Sequence, residues 1–150
     1  MFPDLSKFSE PEKLRKLSFN ARRLGHDDYA FEIRMRIAEL AGLAFHDPLE
    51  REFWTALSYA EEVKTEASGK ATRLSGARQK HKKHGALRVL GDWAMEPNTT
   101  EGFDSLVEHQ RAELTGEAIV VRHADKFAVE AVASAAAKLA AHGISREQVA

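Results

Sequence analysis

The residues with the clearest chemical potential lie in one stretch of the chain, from Lys64 to Arg88, called here the basic segment. It contains eight Lys or Arg and one acid, Glu66, so its net charge is +7. The remaining residues contain 14 Lys or Arg and 22 Asp or Glu, a net charge of −8. Such asymmetry within a nearly neutral chain indicates a polyanionic partner, although a solvated basic face without a partner is the alternative.

Within the basic segment, the spacing predicts a helix from Arg73 to His84 with very little apolar surface. Leu74 and Ala77 are its only clear apolar residues, and His81 and His84 continue the same face. Like charges three or four residues apart destabilise a helix by roughly 0.2–0.5 kcal/mol per pair. Contact with phosphates would relieve that repulsion, and the release of condensed counterions would drive binding.

The position of this helix predicts a helix-turn-helix-like unit that places it in the major groove of duplex DNA. The preceding helix would support it, with Ser68–Ala71 as the turn. Arginine pairs with guanine and glutamine with adenine, while hydroxyl groups hold phosphates. The residues expected at the bases and nearby phosphates are Thr72, Arg73, Ser75, Arg78 and Gln79. The predicted contact surface is completed by Lys70, Lys80, Lys82, Lys83 and Arg88.

Two other functions are consistent with the same residues. The basic helix suits an adaptor or inhibitor that binds an acidic protein. A small helical nuclease is the third hypothesis, because Asp47 and Glu62-Val63-Lys64 have the residue types of a nuclease site. On one helix, however, Asp47 and Glu62 would lie about 22 Å apart, too far to share a metal ion. A homodimer would match palindromic DNA.

No pattern in the sequence predicts catalysis or a cofactor. The serine-hydrolase, zinc-protease and phosphate-loop motifs are absent, and the chain has no cysteine. His81 and His84 lie three residues apart, as two metal ligands on one helix would, but no further ligand follows at a recognisable spacing. We therefore expect a non-catalytic protein without a metal or cofactor.

Helix signals recur along the whole chain and predict an all-α fold. The sequence predicts helix starts at a capping box from Ser9, at Asp47-Pro48, at Thr72 or Ser75, in the cluster Asn98-Thr99-Thr100 and at Thr115. Gly143 followed by Ile144 is expected to end the last long helix. The segment Ala118–Val121 is rich in β-branched residues, yet a helix is favoured because no second strand is available to pair with it. Helices are predicted to begin near residues 11, 27, 48, 73, 87, 100, 115 and 127.

Length and composition predict one compact domain spanning residues 1–150. A chain of 150 residues with 43 % apolar residues buries roughly 68–70 % of its unfolded surface. It contains no apolar run of about 18 residues and no signal-peptide pattern. The expected protein is soluble and cytoplasmic, with no membrane partner.

Overall fold

The computed structural model describes residues 2–150, and these fold into helices without any β-strand, as the sequence predicts. Short 3-10 turns join several of the helices. None of the helices in residues 2–150 combines the length and the apolarity needed to cross a membrane. The eight α-helices are α1 (Pro11–Arg23), α2 (Asp27–Gly42), α3 (Pro48–Ser68), α4 (Ser75–His84), α5 (Ala86–Met95), α6 (Glu101–Glu108), α7 (Gly116–Arg122) and α8 (Val129–Ala141).

Most helix ends follow the predicted capping residues. The Asp47 carboxylate accepts the Glu50 N–H at 3.0 Å, and Pro48 is the first residue of α3. The Thr100 and Thr115 hydroxyls cap α6 and α7 in the same way. After α8 the backbone turns through a left-handed residue, Gly143 at φ 76°, and this confirms the predicted glycine ending.

Helices α1 and α4 begin without the side-chain caps that the sequence predicts. Helix α1 begins at Pro11, as predicted, but the expected capping box at Ser9 does not form. Helix α4 begins at Ser75, two residues after the expected start at Arg73, and its N-cap is Leu74 instead of Thr72 or Ser75. The Thr72 N–H donates to the Thr65 hydroxyl at 3.0 Å. This bond to α3 keeps the residues just before Ser75 out of helix α4.

The longest helix, α3, is the centre of the molecule. It has 21 residues and buries Phe53, Leu57 and Tyr59 almost completely. On one side it packs against α2, which also contacts α1. On the other side α5 and α7 contact it, and α8 packs against both of those. Because α3 packs on both of these sides, it is the central support of the fold. The basic segment begins in its last turns.

The ambiguous segment Ala118–Val121 is helical, as favoured from the sequence. It forms most of α7, and Ala118, Ile119 and Val120 are all buried. β-Branched residues have a lower helix propensity, but burial between α5 and α8 overrides that preference here.

Candidate nucleic-acid interface

Helix α4 lies on the surface of the core and buries none of its ten residues. The inward face predicted for it is confirmed at three of four positions. Leu74, just before the helix, and Ala77 pack against the main core cluster, and the His81 ring stacks on Phe53 with 5.0 Å between centroids. His84, the fourth position, is exposed. The helix therefore adheres to the core along a short, partly polar strip.

Arg78 is held by an acid on α3 instead of projecting from the surface. Its Nε and Nη2 donate to the two Glu61 carboxylate oxygens at 2.6 and 2.7 Å. The Glu61 side chain is only 6 % exposed, and it also accepts the Leu74 N–H at 2.9 Å. Hydrogen bonding to Glu61 raises the pKa of Arg78 above its ordinary value. In this position Arg78 fastens α4 to α3 and is not directed at a partner.

Two more predicted contact residues share a single acid on α5. Lys80 donates to the Asp92 carboxylate at 2.7 Å, and Arg88 donates to the same oxygen at 3.4 Å. The hydrogen bond from Lys80 is the main reason that the pKa of Asp92 lies below its usual value. The Lys80 contact ties α4 to α5, whereas Arg88 and Asp92 both lie on α5. Both contacts neutralise part of the positive charge of the basic segment.

The connection between α3 and α4, residues 69–74, is ordered by its own hydroxyl groups. The Thr72 hydroxyl donates to the Lys70 carbonyl at 2.9 Å and lies 3.0 Å from the Ser68 hydroxyl. Thr72 is therefore engaged within the connection. Ser75 and Gln79 are exposed on α4 and remain available to a partner.

Four cations among the predicted site residues are exposed and form no ion pair with any residue in 2–150. Two precede α4 and two lie in its last turn, so they flank a helix about 15 Å long. We call these four residues the cationic surface: Lys70, Arg73, Lys82 and Lys83.

The contacts along α3 show which way α4 runs. Glu61 meets Leu74 and Arg78, whereas Glu50, eleven residues earlier on α3, meets His81. Later residues of α4 thus meet earlier residues of α3. In a helix-turn-helix the two helices are joined by a turn of three to four residues. The six-residue connection here is longer than that turn.

The histidine pair that suggested a metal site is not brought together with further ligands. The His81 Nε2 lies 3.0 Å from a Glu50 oxygen, and Trp54 donates to that oxygen at 3.1 Å. Among residues 2–150, no cluster of three or more His, Asp or Glu side chains could hold a metal ion. The two acids of the nuclease hypothesis are engaged elsewhere: Asp47 caps α3, and Glu62 pairs with Arg15 of α1. The two acids have separate structural roles.

The acidic partners of α4 are the site residues that the sequence analysis missed. Arg88 and Asp92 lie four residues apart on one helix, a spacing that indicates a pair. Glu61 continues the spacing of Phe53 and Leu57 on the apolar face of α3, and an acid on such a face indicates a buried partner. Both signals were present in the sequence.

Comparisons with known proteins identify no relative. No protein-family model matches the chain, and neither does any curated protein or solved structure.

Proposed function

We propose that this protein binds the phosphate backbone of duplex DNA through the cationic surface, without reading the base sequence. The observation that supports the proposal is the set of unpaired, exposed cations around a helix that buries none of its residues. Lysine and arginine contacts to phosphates release counterions and supply nearly all the affinity of sequence-independent binding.

Arg78, the arginine within α4 predicted to read bases, is engaged with Glu61. An arginine recognises guanine by donating two N–H bonds along one edge of its planar guanidinium. Arg78 already uses two such donors, Nε and Nη2, in its hydrogen bonds to Glu61. Gln79 is exposed beside it, yet a single glutamine supplies little discrimination without neighbouring base contacts.

The test is the affinity for a random duplex DNA pool over a series of salt concentrations, measured by fluorescence anisotropy. Four phosphate contacts predict a slope of about −3.5 in log K against log salt. The double variant Lys82→Gln with Lys83→Gln should reduce that slope to about −2.

The matched control removes two lysines elsewhere. Lys16 and Lys126 are exposed on α1 and after α7, so changing both to Gln alters the net charge equally. That control should bind DNA like the wild type. Equal losses in the two double variants would show a general charge effect and contradict the proposed surface. Binding to polyglutamate but not to DNA at low salt would favour an acidic protein partner instead.

A further inference from the structure

A large cleft opens beside the start of α4, next to Arg73 of the cationic surface. It lies between α3, the start of α4, the end of α5 and the connections that lead into α6 and α7. Its volume is about 730 Å³. Pockets for small organic molecules have volumes of roughly 300–1,000 Å³.

The walls of the cleft are mainly apolar and aromatic. They include Tyr59 and Ala56 from α3, Ala77 from α4, Trp93 from α5, and Phe103 from α6. Trp93 stacks on the fully buried Phe53, with 5.8 Å between ring centroids. The aromatic wall is therefore anchored in the core and is formed before any ligand arrives.

Polar groups beneath this wall already have partners. The Tyr59 hydroxyl lies 2.6 Å from the Ser105 hydroxyl. The Glu117 carboxylate lies 2.8 Å from the Lys138 ammonium, which also donates to the Trp93 carbonyl at 2.8 Å. Because Lys138 neutralises Glu117, this buried acid adds little net charge to the floor of the cleft.

The rim nearest α4 is positive. Lys64 and Arg73 are exposed there, and neither forms an ion pair with a residue in 2–150. Hydrogen bonds from the Thr72 and Leu74 N–H groups to α3 hold the backbone on either side of Arg73. Helix α4 begins at this rim, where the Glu61 carboxylate accepts the N–H of its N-cap residue, Leu74.

The acids of the rim lie on a different part of the chain. Glu96 and Glu101 are exposed at either end of the connection between α5 and α6. The cleft therefore has a positive side at the start of α4 and an acidic side at that connection. A ligand whose apolar body lies next to Ala77, in the first turn of α4, would have its charged end beside Lys64 and Arg73 and away from these acids.

We propose that the cleft binds a small amphipathic organic anion. Its apolar body lies between Trp93 and Ala77, and its carboxylate faces Lys64 and Arg73. This site shares Arg73 with the cationic surface of the DNA proposal, but Lys82 and Lys83 do not line the cleft.

The test compares three eight-carbon probes that differ only in their head group: octanoate, octylammonium and 1-octanol. Trp54→Phe leaves Trp93, in the cleft wall, as the sole tryptophan reporter. Titrations below micelle-forming concentrations should show saturable changes in Trp93 fluorescence with octanoate. Its affinity should exceed that for octanol and octylammonium at least tenfold. Equal or tighter binding of octylammonium would overturn the proposal, as would the absence of binding by all three probes.

Two variants with matched controls locate the site. Lys64→Gln with Arg73→Gln should weaken octanoate binding at least tenfold and leave octanol binding unchanged. Lys82→Gln with Lys83→Gln removes the same charge outside the cleft and should leave octanoate binding intact. An equal loss in both pairs would contradict the assigned rim.

A third variant tests the apolar wall. Ala77→Leu adds three carbons inside the cleft and should weaken octanoate binding at least fivefold, whereas Gln79→Leu on the exposed face should not.

Amide chemical shifts of the wild-type protein provide a second readout that needs no variant. Octanoate should shift the signals of residues 74–77 and 102–103, and shifts confined to other regions would contradict the site. If the protein binds octanoate but not duplex DNA, the DNA proposal fails and the cleft proposal stands. The two failures can therefore be told apart.

Discussion

Asp92 determines how much of the positive charge in the basic segment reaches the surface. It accepts hydrogen bonds from both Lys80 and Arg88, which leaves the cationic surface with four unpaired members. Exposed ion pairs add little to stability, generally less than about 1 kcal/mol. Their larger effect here is on the electrostatic potential that a polyanion meets.

Replacing this acid is predicted to strengthen DNA binding. Asp92→Asn releases Lys80 and Arg88, so the slope of log K against log salt should become steeper by about one to two. Anisotropy titrations measure this directly. Asp125→Asn, at an exposed position after α7, removes the same charge and serves as the control. An unchanged slope in Asp92→Asn would place Lys80 and Arg88 outside the interface.

The pH dependence of stability is predicted to change at the same residue. The pKa of Asp92 lies below its ordinary value of 3.8, chiefly because Lys80 donates a hydrogen bond to it. The resulting stabilisation is complete above the unfolded-state pKa and disappears as the pH falls through the lower folded-state pKa. Urea unfolding at about pH 6 and pH 2.5 should therefore show a smaller acid-induced loss in Asp92→Asn than in the wild type. Equal losses would contradict the role of this carboxylate.

At the scale of elements, α4 is attached to the molecule mainly by polar contacts. Glu61 holds Arg78 by two bonds and also accepts the Leu74 N–H. Apolar packing is limited to Leu74, Ala77 and the ring of His81. A helix attached in this way depends on its acidic partners more than on buried area.

Removing the buried acid is predicted to release α4. Glu61→Gln loses the charge that pairs with Arg78 and should lower the free energy of unfolding by about 2 kcal/mol. Native-state hydrogen exchange should accelerate at residues 75–84 before it does so in α3. Glu108→Gln, an exposed change at the end of α6, should have little effect. Uniform acceleration along the whole chain would mean that Glu61 supports the core instead of α4.

Helix boundaries in this protein were predictable wherever local chemistry decides them. Asp47 and Thr115 cap the helices predicted for them, and Gly143 is left-handed at the expected helix end. Thr100 is the member of the predicted cluster Asn98-Thr99-Thr100 that caps α6. The start of α4 was not predictable, because the bond between Thr72 and Thr65 joins two helices. Tertiary hydrogen bonds of this kind override local helix signals.

At the scale of the whole molecule, only part of the candidate site could be predicted from the sequence. The concentration of cations was visible, but which of them are neutralised depends on how α3, α4 and α5 pack together. The cleft was not visible at all, because its walls come from five helices. Of its aromatic residues, Tyr59 and Phe103 are buried, whereas Trp93 stays partly uncovered.

The buried pair beneath the cleft is predicted to be essential for the packing of α5, α7 and α8. Lys138→Met leaves Glu117 as an uncompensated buried charge, which costs about 3–5 kcal/mol. For a domain of this size the melting temperature should fall by about 10 °C. The double variant Lys138→Met with Glu117→Leu should recover most of that loss in calorimetry. A single variant as stable as the wild type would mean that the pair is not buried in solution.

The weak attachment of α4 has a consequence for proteolysis. Its last turn carries two adjacent exposed lysines, Lys82 and Lys83, in a helix that can open without disturbing the core. Trypsin should therefore nick the native chain there first and produce the pieces 1–82 and 83–150, which stay associated through α3 and α5. Duplex DNA that covers these lysines should slow the nick, so digestion with and without DNA provides a footprint on the protein.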